Sequence, residues 1–507
     1  MANPLGAKKS IAAMIASSEL PQFRLDKSLG PWSMIAIGIG AIIGAGIYSL
    51  AGIAAGGVQY SIPSALHQSP FTALWQLLRA LPPSGFHNSP PAGPAIVLSF
   101  LAVAMICVLI GLCYAELASL MPLAGSVYTY SYAALGELAA WMAGWILVLE
   151  YGLGNVLFAT ALSQGLKARL SDFHLFLPDR WSLPVWSEGK WTGAYFNLPA
   201  FCLVLAVTLI LSRGIRAFSR TNIVMVILKC GAIVFFLAVG SSMVHPANWH
   251  PFTPGGMNGV VAGGIILFYA YIGFDCVSVA AEEARRPERD VPAGILGSLL
   301  ICALLYVGTA VVLLGMAPYT LFHSGTPASG APVLYALQHF GAKPISQSVI
   351  VTGMLVGLLS VMFVLQYGQT RIWYAMSRDG LVPGIFSLVH PKTRTPHWSV
   401  WIWGTTVAVC AGVIDVGEAA DLVTIGALMA FAFASICVIR LRKSQPNRPR
   451  RFKVPWVPWL PLASLAATLV MMSTLPLITW VRFFAWLAIG LAIYFGYSRH
   501  HSSLAAR

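Results

Sequence analysis

Apolar stretches long enough to cross a bilayer recur along the whole chain. Each holds roughly 20 residues, and a helix of that length covers about 30 Å of hydrocarbon. The pattern therefore predicts an all-α integral membrane protein with about 12 transmembrane helices. The predicted spans lie near residues 32–55, 95–120, 133–164, 197–213, 220–243, 259–281, 293–317, 346–376, 399–414, 419–441, 459–478 and 480–498.

Glycines interrupt the first and the sixth of these spans near their middles. The first carries Ile43-Gly44-Ala45-Gly46-Ile47, and the sixth carries Tyr271-Ile272-Gly273-Phe274-Asp275. Lipid cannot satisfy the backbone groups that a break exposes, so they must face protein, water or a ligand. Glycines also allow close helix packing, and that explanation suits Gly38 and Gly40. Matching breaks in the two halves instead indicate the substrate site of a secondary transporter.

The positions of the breaks also predict how the chain is organised. Each broken span opens a block of five spans, and an odd number of spans requires the second block to be inverted relative to the first. An external insertion interrupts the first block, and the spacing of Phe71, Leu74 and Leu78 within it predicts a short surface helix. The predicted segments are a cytoplasmic tail 1–31, a first block 32–243 with its insertion 56–94, a second block 259–441, a basic cytoplasmic loop 442–458, two additional helices 459–498 and a cytoplasmic tail 499–507.

Charge is scarce and unevenly placed. The chain is 57% hydrophobic and only 9% charged, yet its formal net charge is +14. The predicted spans put 23 of the 31 Lys and Arg residues on the side of the two termini. Short cytoplasmic loops carry such an excess, so both termini are expected in the cytoplasm, and nucleic acid is not an expected partner.

Three ionisable residues fall deep within predicted spans: Glu150, Lys229 and Asp275. Charges are costly there and indicate function. Lys229 lies nine residues after Arg220, about 13 Å along a helix. Its ammonium must pair with an acid such as Asp275, lose its proton, or contact carbonyls freed at the first break, where it would replace a sodium ion. All three residues are predicted to serve proton coupling.

Substrate contacts are expected at the two breaks. Gly44 and Gly46 begin a half-helix whose free N–H groups suit a carboxylate. Aromatic residues beside the second break can close over a substrate, and Tyr269 is the favoured gate, with Phe268 as the alternative. Tyr271 is a further candidate contact.

The sequence does not indicate an enzymatic, metal-binding or nucleotide-binding site. The histidines lie in loops or termini without metal-ligand spacing, and the chain has no nucleophile or nucleotide-binding motif in the context that such motifs need. No enzyme activity, cofactor or metal is expected.

Five stretches of the chain resemble the amino acid–polyamine–organocation superfamily, and within it the bacterial relatives of the cationic amino acid transporter family. The resemblance implies a leucine-transporter-like fold with a five-plus-five inverted repeat, alternating access and uptake of L-amino acids driven by protons. The stretches, which cover spans one to eight, are GIGAIIGAGIYSLAG (38–52), GPAIVLSFLAVAMICVLIGLCYAELASLMPLAGSVYTYSY (93–132), GELAAWMAGWILVLEYGLG (136–154), FYAYIGFDCVSVAAEEARRPERDVPAGI (268–295) and GQTRIWYAMSRDGLVP (368–383).

The same resemblance implies particular roles. Backbone around Ile43, Gly44, Ala45 and Gly46 would hold the substrate carboxylate. Lys229 would occupy the place of a sodium ion near Asp275, and Glu150 would line the route between site and solvent.

Three further expectations come from the resemblance. Met354 stands where strongly cationic members tend to carry a small polar residue, which favours small neutral substrates such as alanine. Twelve spans indicate a bacterial-type protein of the inner membrane. The external segments have no cysteine, so no disulfide-linked heavy chain is expected; a small single-span accessory subunit is possible, besides membrane lipids.

Alternatives remain open at this stage. A transporter of arginine or lysine, a sodium-coupled carrier and an amino acid exchanger belong to the same class, although Lys229 argues against sodium at the usual site. A sensor that binds amino acids without transporting them belongs to another class; its long soluble termini would contrast with the short tails here.

Overall fold

The all-α class is confirmed. The computed structural model describes residues 7–44, 46–59, 88–187, 190–323, 326–340, 343–417 and 420–503. Across these residues helices dominate, and the strands form two short antiparallel pairs. One pairs Val58–Gln59 with Asn88–Ser89, and the other pairs Trp186–Ser187 with Lys190–Trp191.

A helix or a broken helix corresponds to each predicted span, and the first to twelfth spans keep those numbers below. The sixth span continues through a 3₁₀ turn at its break. In chain order the spans are Pro31–Ile42 with Gly46–Gly56, Ile96–Leu120, Glu137–Ser171, Leu198–Ser212, Ile215–Ser241, Gly256–Phe268 with Cys276–Val279, Pro287–Met316, Pro344–Arg378, His397–Val413, Ala420–Ser444, Trp459–Ser473 and Leu477–Ile493.

Not all of these helices could cross a bilayer alone. Among the described residues, eight helices are long and apolar enough, and the bent first pair makes nine. The fourth, ninth and eleventh spans hold 15, 17 and 15 residues. Helices of that length reach only about 22–26 Å. The chain is therefore a multi-pass protein, and the count of twelve and the inverted relation of the two blocks stay predictions.

Short elements connect the spans. Eight-residue helices cover Ile11–Ser18, Val127–Ala134 and Pro332–His339, and shorter ones cover Asp179–Ser182, Pro327–Gly330 and Arg499–His501. The 3₁₀ turns are Gly93–Ala95, Pro246–Trp249, Tyr269–Tyr271, Ala280–Glu283, Tyr319–Phe322 and Gly384–Ser387, and one π turn covers Tyr494–Ser498.

Two sequence predictions fall outside the described residues. One is Ala45, at the centre of the first break. The other is the short helix expected around Phe71 to Leu78, which belongs to residues 60–87 of the insertion.

The first span breaks where its glycines predict. Its first helix ends at Ile42, the next begins at Gly46, and the two axes bend by 47°. The N–H of Gly44 bonds to the carbonyl of Ile42 at 3.1 Å, outside the helical pattern. Carbonyl groups near this end consequently need partners from elsewhere in the fold.

The sixth span also breaks, and the two breaks pack against each other. Its first helix ends at Phe268, and the backbone of Gly273 has a φ of +116°. A Cβ atom on Gly273 would lie 2.9 Å from the Cβ of Ala41, and one on Gly46 would lie 2.8 Å from that of Ala270. Glycine at these positions allows the two breaks to touch.

Ion pairs join neighbouring segments at the end of the fold that holds the N-terminal tail. The guanidinium of Arg371 donates to Glu283 at 3.0 Å, and that of Arg378 donates to Glu282 at 2.9 Å; all four side chains are buried. Lys9 of the tail bonds to Asp379 at 2.6 Å. These contacts tie the end of the sixth span to the eighth span and to the tail.

Alanine at Gly273 is expected to destabilise the protein. The positive φ and the contact with Ala41 both oppose a side chain, and a cost of about 1–3 kcal/mol is typical of such strain. Gly231→Ala is the matched control, because a Cβ there meets nothing within 4 Å and alanine favours a helix. Thermal unfolding of the purified protein should show a lower midpoint for Gly273→Ala alone; equal midpoints for both variants would contradict the geometry of the break.

Candidate functional site

Lys229, a residue of the fifth span, bonds to the backbone at the first break. Its side chain is fully buried, and its ammonium donates to the carbonyls of Gly40 at 2.9 Å and Ile43 at 2.8 Å. The third partner is the hydroxyl of Ser360 on the eighth span, at 3.0 Å. An ammonium has three protons, so its donors are satisfied. The carbonyl end of a helix also carries partial negative charge, which favours a cation there.

The expected pair of Lys229 with Asp275 is not formed. The ion pairs of the described residues within 4.0 Å do not join these two side chains. The carbonyls of the first break and Ser360 use the donors of Lys229 instead. The sequence left three possibilities open for the ammonium of Lys229. In the structure, this ammonium contacts the freed carbonyls.

Tyr306 of the seventh span joins both breaks. Its hydroxyl lies 3.0 Å from the carbonyl oxygen of Ile42 and 2.8 Å from that of Ala270, and donates its proton to this pair. One side chain thus contacts the end of a half-helix at each break.

A small cavity lies where the breaks meet. Its volume is about 30 Å³, which is room for one or two water molecules. Apart from the carboxyl of Glu150 and the ring of Tyr269, its lining is apolar. The lining residues are Ala41, Ile42, Gly44, Gly46, Glu150, Phe158, Tyr269, Ala270, Ile272, Gly273, Val361, Leu365 and Val423.

Two buried carboxyl groups lie near the cavity without a cation. Neither oxygen of Glu150 has a hydrogen-bond partner among the described residues. Asp275 accepts a hydrogen bond from the hydroxyl of Tyr151 at 2.6 Å, and its other oxygen has no partner there. Tyr151 follows Glu150 directly in the third span, so this span connects both carboxyl groups. Each must hold a proton or acquire a cation, because an isolated buried charge is very costly.

Some predicted substrate contacts line the cavity and others do not. Gly44, Gly46 and Tyr269 line it, and Ile43 contributes its carbonyl to Lys229. Tyr271 lies away from it: its hydroxyl donates to the carbonyl of Phe100 at 3.2 Å, and its ring packs on Tyr306.

Met354 likewise does not line the cavity, although the sequence predicted it as a substrate contact. The eighth span contributes Val361 and Leu365 instead. Val361 lies seven residues beyond Met354 in the same helix, a rise of about 10 Å. The substrate preference inferred from Met354 therefore stays a prediction, and the residues that line the cavity offer separate evidence on the substrate.

Several residues of the site carried no signal in the sequence. Phe158, Val361 and Leu365 are apolar residues in apolar spans, and nothing in their spacing distinguishes them from core or lipid-facing positions. Tyr306 is a hydroxyl-bearing residue in the apolar part of the seventh span, and its distance from both ends of that span was a usable signal. Ser360 was equally visible as a hydroxyl in an apolar helix.

The chain is similar to known transporters over nearly its whole length. A family model described as "Amino acid permease" matches residues 29–494. The chain belongs to the amino acid permease family. The resemblance to the amino acid–polyamine–organocation superfamily is thereby confirmed, and the permease is a multi-pass transporter rather than an enzyme.

Three relatives indicate where the permease lies within its superfamily. It is 41% identical over 497 residues to a branched-chain amino acid permease of Bacillus subtilis, and 39% identical over 498 residues to a methylthioribose transporter of the same organism. Both matches cover 98% of each chain. A vacuolar cationic amino acid transporter of Arabidopsis thaliana is 32% identical over 456 residues, 88% of this chain and 68% of the relative.

Tyr306→Phe is expected to destabilise the site, because at least one carbonyl at the breaks loses its donor. Leaving a buried group unsatisfied costs about 1–3 kcal/mol. Tyr114→Phe is the matched control: Tyr114 is equally buried, and its hydroxyl has no partner among the described residues. Thermal unfolding should show a lower midpoint for Tyr306→Phe and an unchanged or higher one for Tyr114→Phe. A harmless Tyr306→Phe would contradict the role given to this hydroxyl.

Proposed function

We propose that this permease carries L-amino acids with small or apolar side chains into the bacterial cytoplasm, together with protons. The cavity between the two breaks supports this proposal above all other observations. We also propose that it resides in the inner membrane with both termini in the cytoplasm, as the distribution of Lys and Arg favours.

The start of the second half-helix suits the substrate carboxylate. The helix Gly46–Gly56 begins at the cavity, and the first N–H groups of any helix lack partners within it. These donors and the positive end of the helix favour an anion. Lys229 and Tyr306 bond to carbonyls at the breaks, and we propose that the substrate carboxylate binds at the start of this helix.

The apolar lining favours a neutral side chain. Phe158, Val361 and Leu365 offer no partner for a charged group, which would lose its hydration on entering. Alanine fits this chemistry, and so do the branched-chain amino acids named for one relative. Because the cavity is small in this structure, we propose that side chains such as Tyr269 move outward to admit the substrate.

Glu150 favours a second candidate within the same class. Its unpartnered carboxylate lines the cavity and would pair well with the cationic end of arginine or lysine. The Arabidopsis relative is named for cationic substrates. The two candidates therefore differ in whether Glu150 binds a proton or the side chain of the substrate.

We propose that Glu150 and Asp275 carry the coupled proton. Both are buried, and neither forms an ion pair among the described residues. Lys229 supports coupling by protons rather than sodium, since its ammonium already occupies the carbonyls that a cation would otherwise bind at the first break.

Uptake into proteoliposomes tests the substrate class. Labelled alanine, leucine, arginine and methylthioribose would be compared, with and without an inward proton gradient. Gradient-dependent accumulation of alanine or leucine is expected. Accumulation of arginine alone would favour the cationic candidate, accumulation of methylthioribose alone would assign a non-amino-acid solute, and binding without flux would favour a sensor.

Glu150→Gln is expected to uncouple transport from the proton gradient. At one proton per solute, a gradient of one pH unit drives at most about tenfold accumulation, and the variant should fall toward equal concentrations inside and outside. Counterflow exchange, which needs no net proton movement, should persist. Glu288→Gln is the control, because Glu288 is a surface carboxylate paired with Arg451. Undiminished accumulation in Glu150→Gln would refute the coupling role.

A further inference from the structure

A second cavity, of about 590 Å³, opens at the end of the fold that carries the N-terminal tail. Three separate segments form it: residues just before and at the start of the first span, the start of the fifth span, and Arg285 in the connection between the sixth and seventh spans. Lys27, Arg216, Arg220 and Arg285 converge on it from these segments. This cavity and its lining are called the basic pocket below.

Two of the four cations in the basic pocket form no ion pair among the described residues. Asp26 is the carboxylate that lines it, and it pairs with Arg216 at 3.2 Å. Lys27 pairs with a glutamate of the tail. Arg220 and Arg285 form no ion pair within the part of the chain that the structure describes. Two uncompensated guanidinium groups therefore face one cavity.

Hydroxyl groups complete the lining. The hydroxyl of Ser219 donates to that of Ser33 at 3.0 Å. The hydroxyl oxygen of Ser28 is buried and has no partner among the described residues. The backbone N–H of Arg285 bonds to the carbonyl of Leu29 at 2.8 Å and so fixes this arginine beside Ser28. Guanidinium groups with nearby hydroxyls suit the oxygens of a phosphate group.

The residues around the basic pocket are of the kinds found near lipid headgroups. Trp32, next to Ser33, is 75% exposed at the start of the first span, and tryptophan is enriched at membrane interfaces. Arg220 is the last charged residue before an uncharged run of eight that ends at Lys229. The pocket therefore opens where the apolar surface begins.

We propose that the basic pocket binds the phosphate headgroup of an anionic lipid from the adjacent leaflet. Basic pockets between membrane helices bind such headgroups on the cytoplasmic side. The positive-inside rule, which sets the orientation of a membrane protein, accounts for cations in a cytoplasmic loop. It does not require cations from three segments to share one cavity. The proposal rests on the multi-pass fold and not on the identity of the transported solute.

Lipid binding is tested on the purified full-length protein in detergent. Its thermal unfolding is followed during titration with phosphatidylglycerol, with zwitterionic phosphatidylethanolamine, or with inorganic phosphate. Arg220→Gln/Arg285→Gln is compared with Arg213→Gln/Arg289→Gln. The second pair removes the same charge from exposed arginines of the same face that do not line the pocket.

Phosphatidylglycerol should stabilise the wild type and the control pair, and phosphatidylethanolamine should not. Arg220→Gln/Arg285→Gln should bind phosphatidylglycerol at least about thirtyfold more weakly than the wild type, because each substitution removes charge-assisted hydrogen bonds to the headgroup phosphate. Equal weakening of phosphatidylglycerol binding in both double variants would show that the lipid responds only to general charge attraction. That result would overturn the proposal. Stabilisation by inorganic phosphate without any response to phosphatidylglycerol would also overturn it, in favour of a free anion.

Discussion

The structure depends on how the protein satisfies backbone carbonyls that become free where two helices break at bilayer depth. Lipid offers them no donor. Lys229 donates to the carbonyls of Gly40 and Ile43, and Tyr306 donates to those of Ile42 and Ala270. Both side chains come from unbroken spans, the fifth and the seventh. The protein's own side chains therefore supply donors to carbonyls of both irregular segments, and the site between them has a defined shape.

In the function that we propose, this arrangement separates three tasks. The carbonyl side of the first break bonds to the protein itself, whereas the helix that begins at Gly46, which lines the cavity, would hold the substrate carboxylate. Apolar side chains from the third and eighth spans surround the remaining space. Among the described residues, Glu150 and one oxygen of Asp275 have no hydrogen-bond partner, and we propose that these carboxyl groups exchange protons. A proton bound there would change the charge beside the substrate, which is the physical basis for the coupling we propose.

The sequence predicted the parts of this site that depart from an ordinary apolar membrane helix. Glycines at bilayer depth identified both breaks, and charges in apolar spans identified Lys229, Glu150 and Asp275. Predictions that depend on the rotation of a helix have less basis in the sequence. Tyr271 and Met354 lie in the right spans but do not line the cavity, because apolar spans carry no polar face from which to infer their orientation. Tyr306 was overlooked for a related reason: the carbonyls that it contacts belong to other segments, and their positions follow only from the fold.

An experimental structure with a bound amino acid, determined from the protein in lipid, tests the central claim most directly. The account predicts the substrate between the two breaks, with its carboxylate within hydrogen-bond distance of backbone N–H groups at the start of Gly46–Gly56. It also predicts that the ammonium of Lys229 stays on the carbonyls of Gly40 and Ile43. A substrate bound elsewhere, or a sodium ion on those carbonyls with Lys229 displaced, would contradict it.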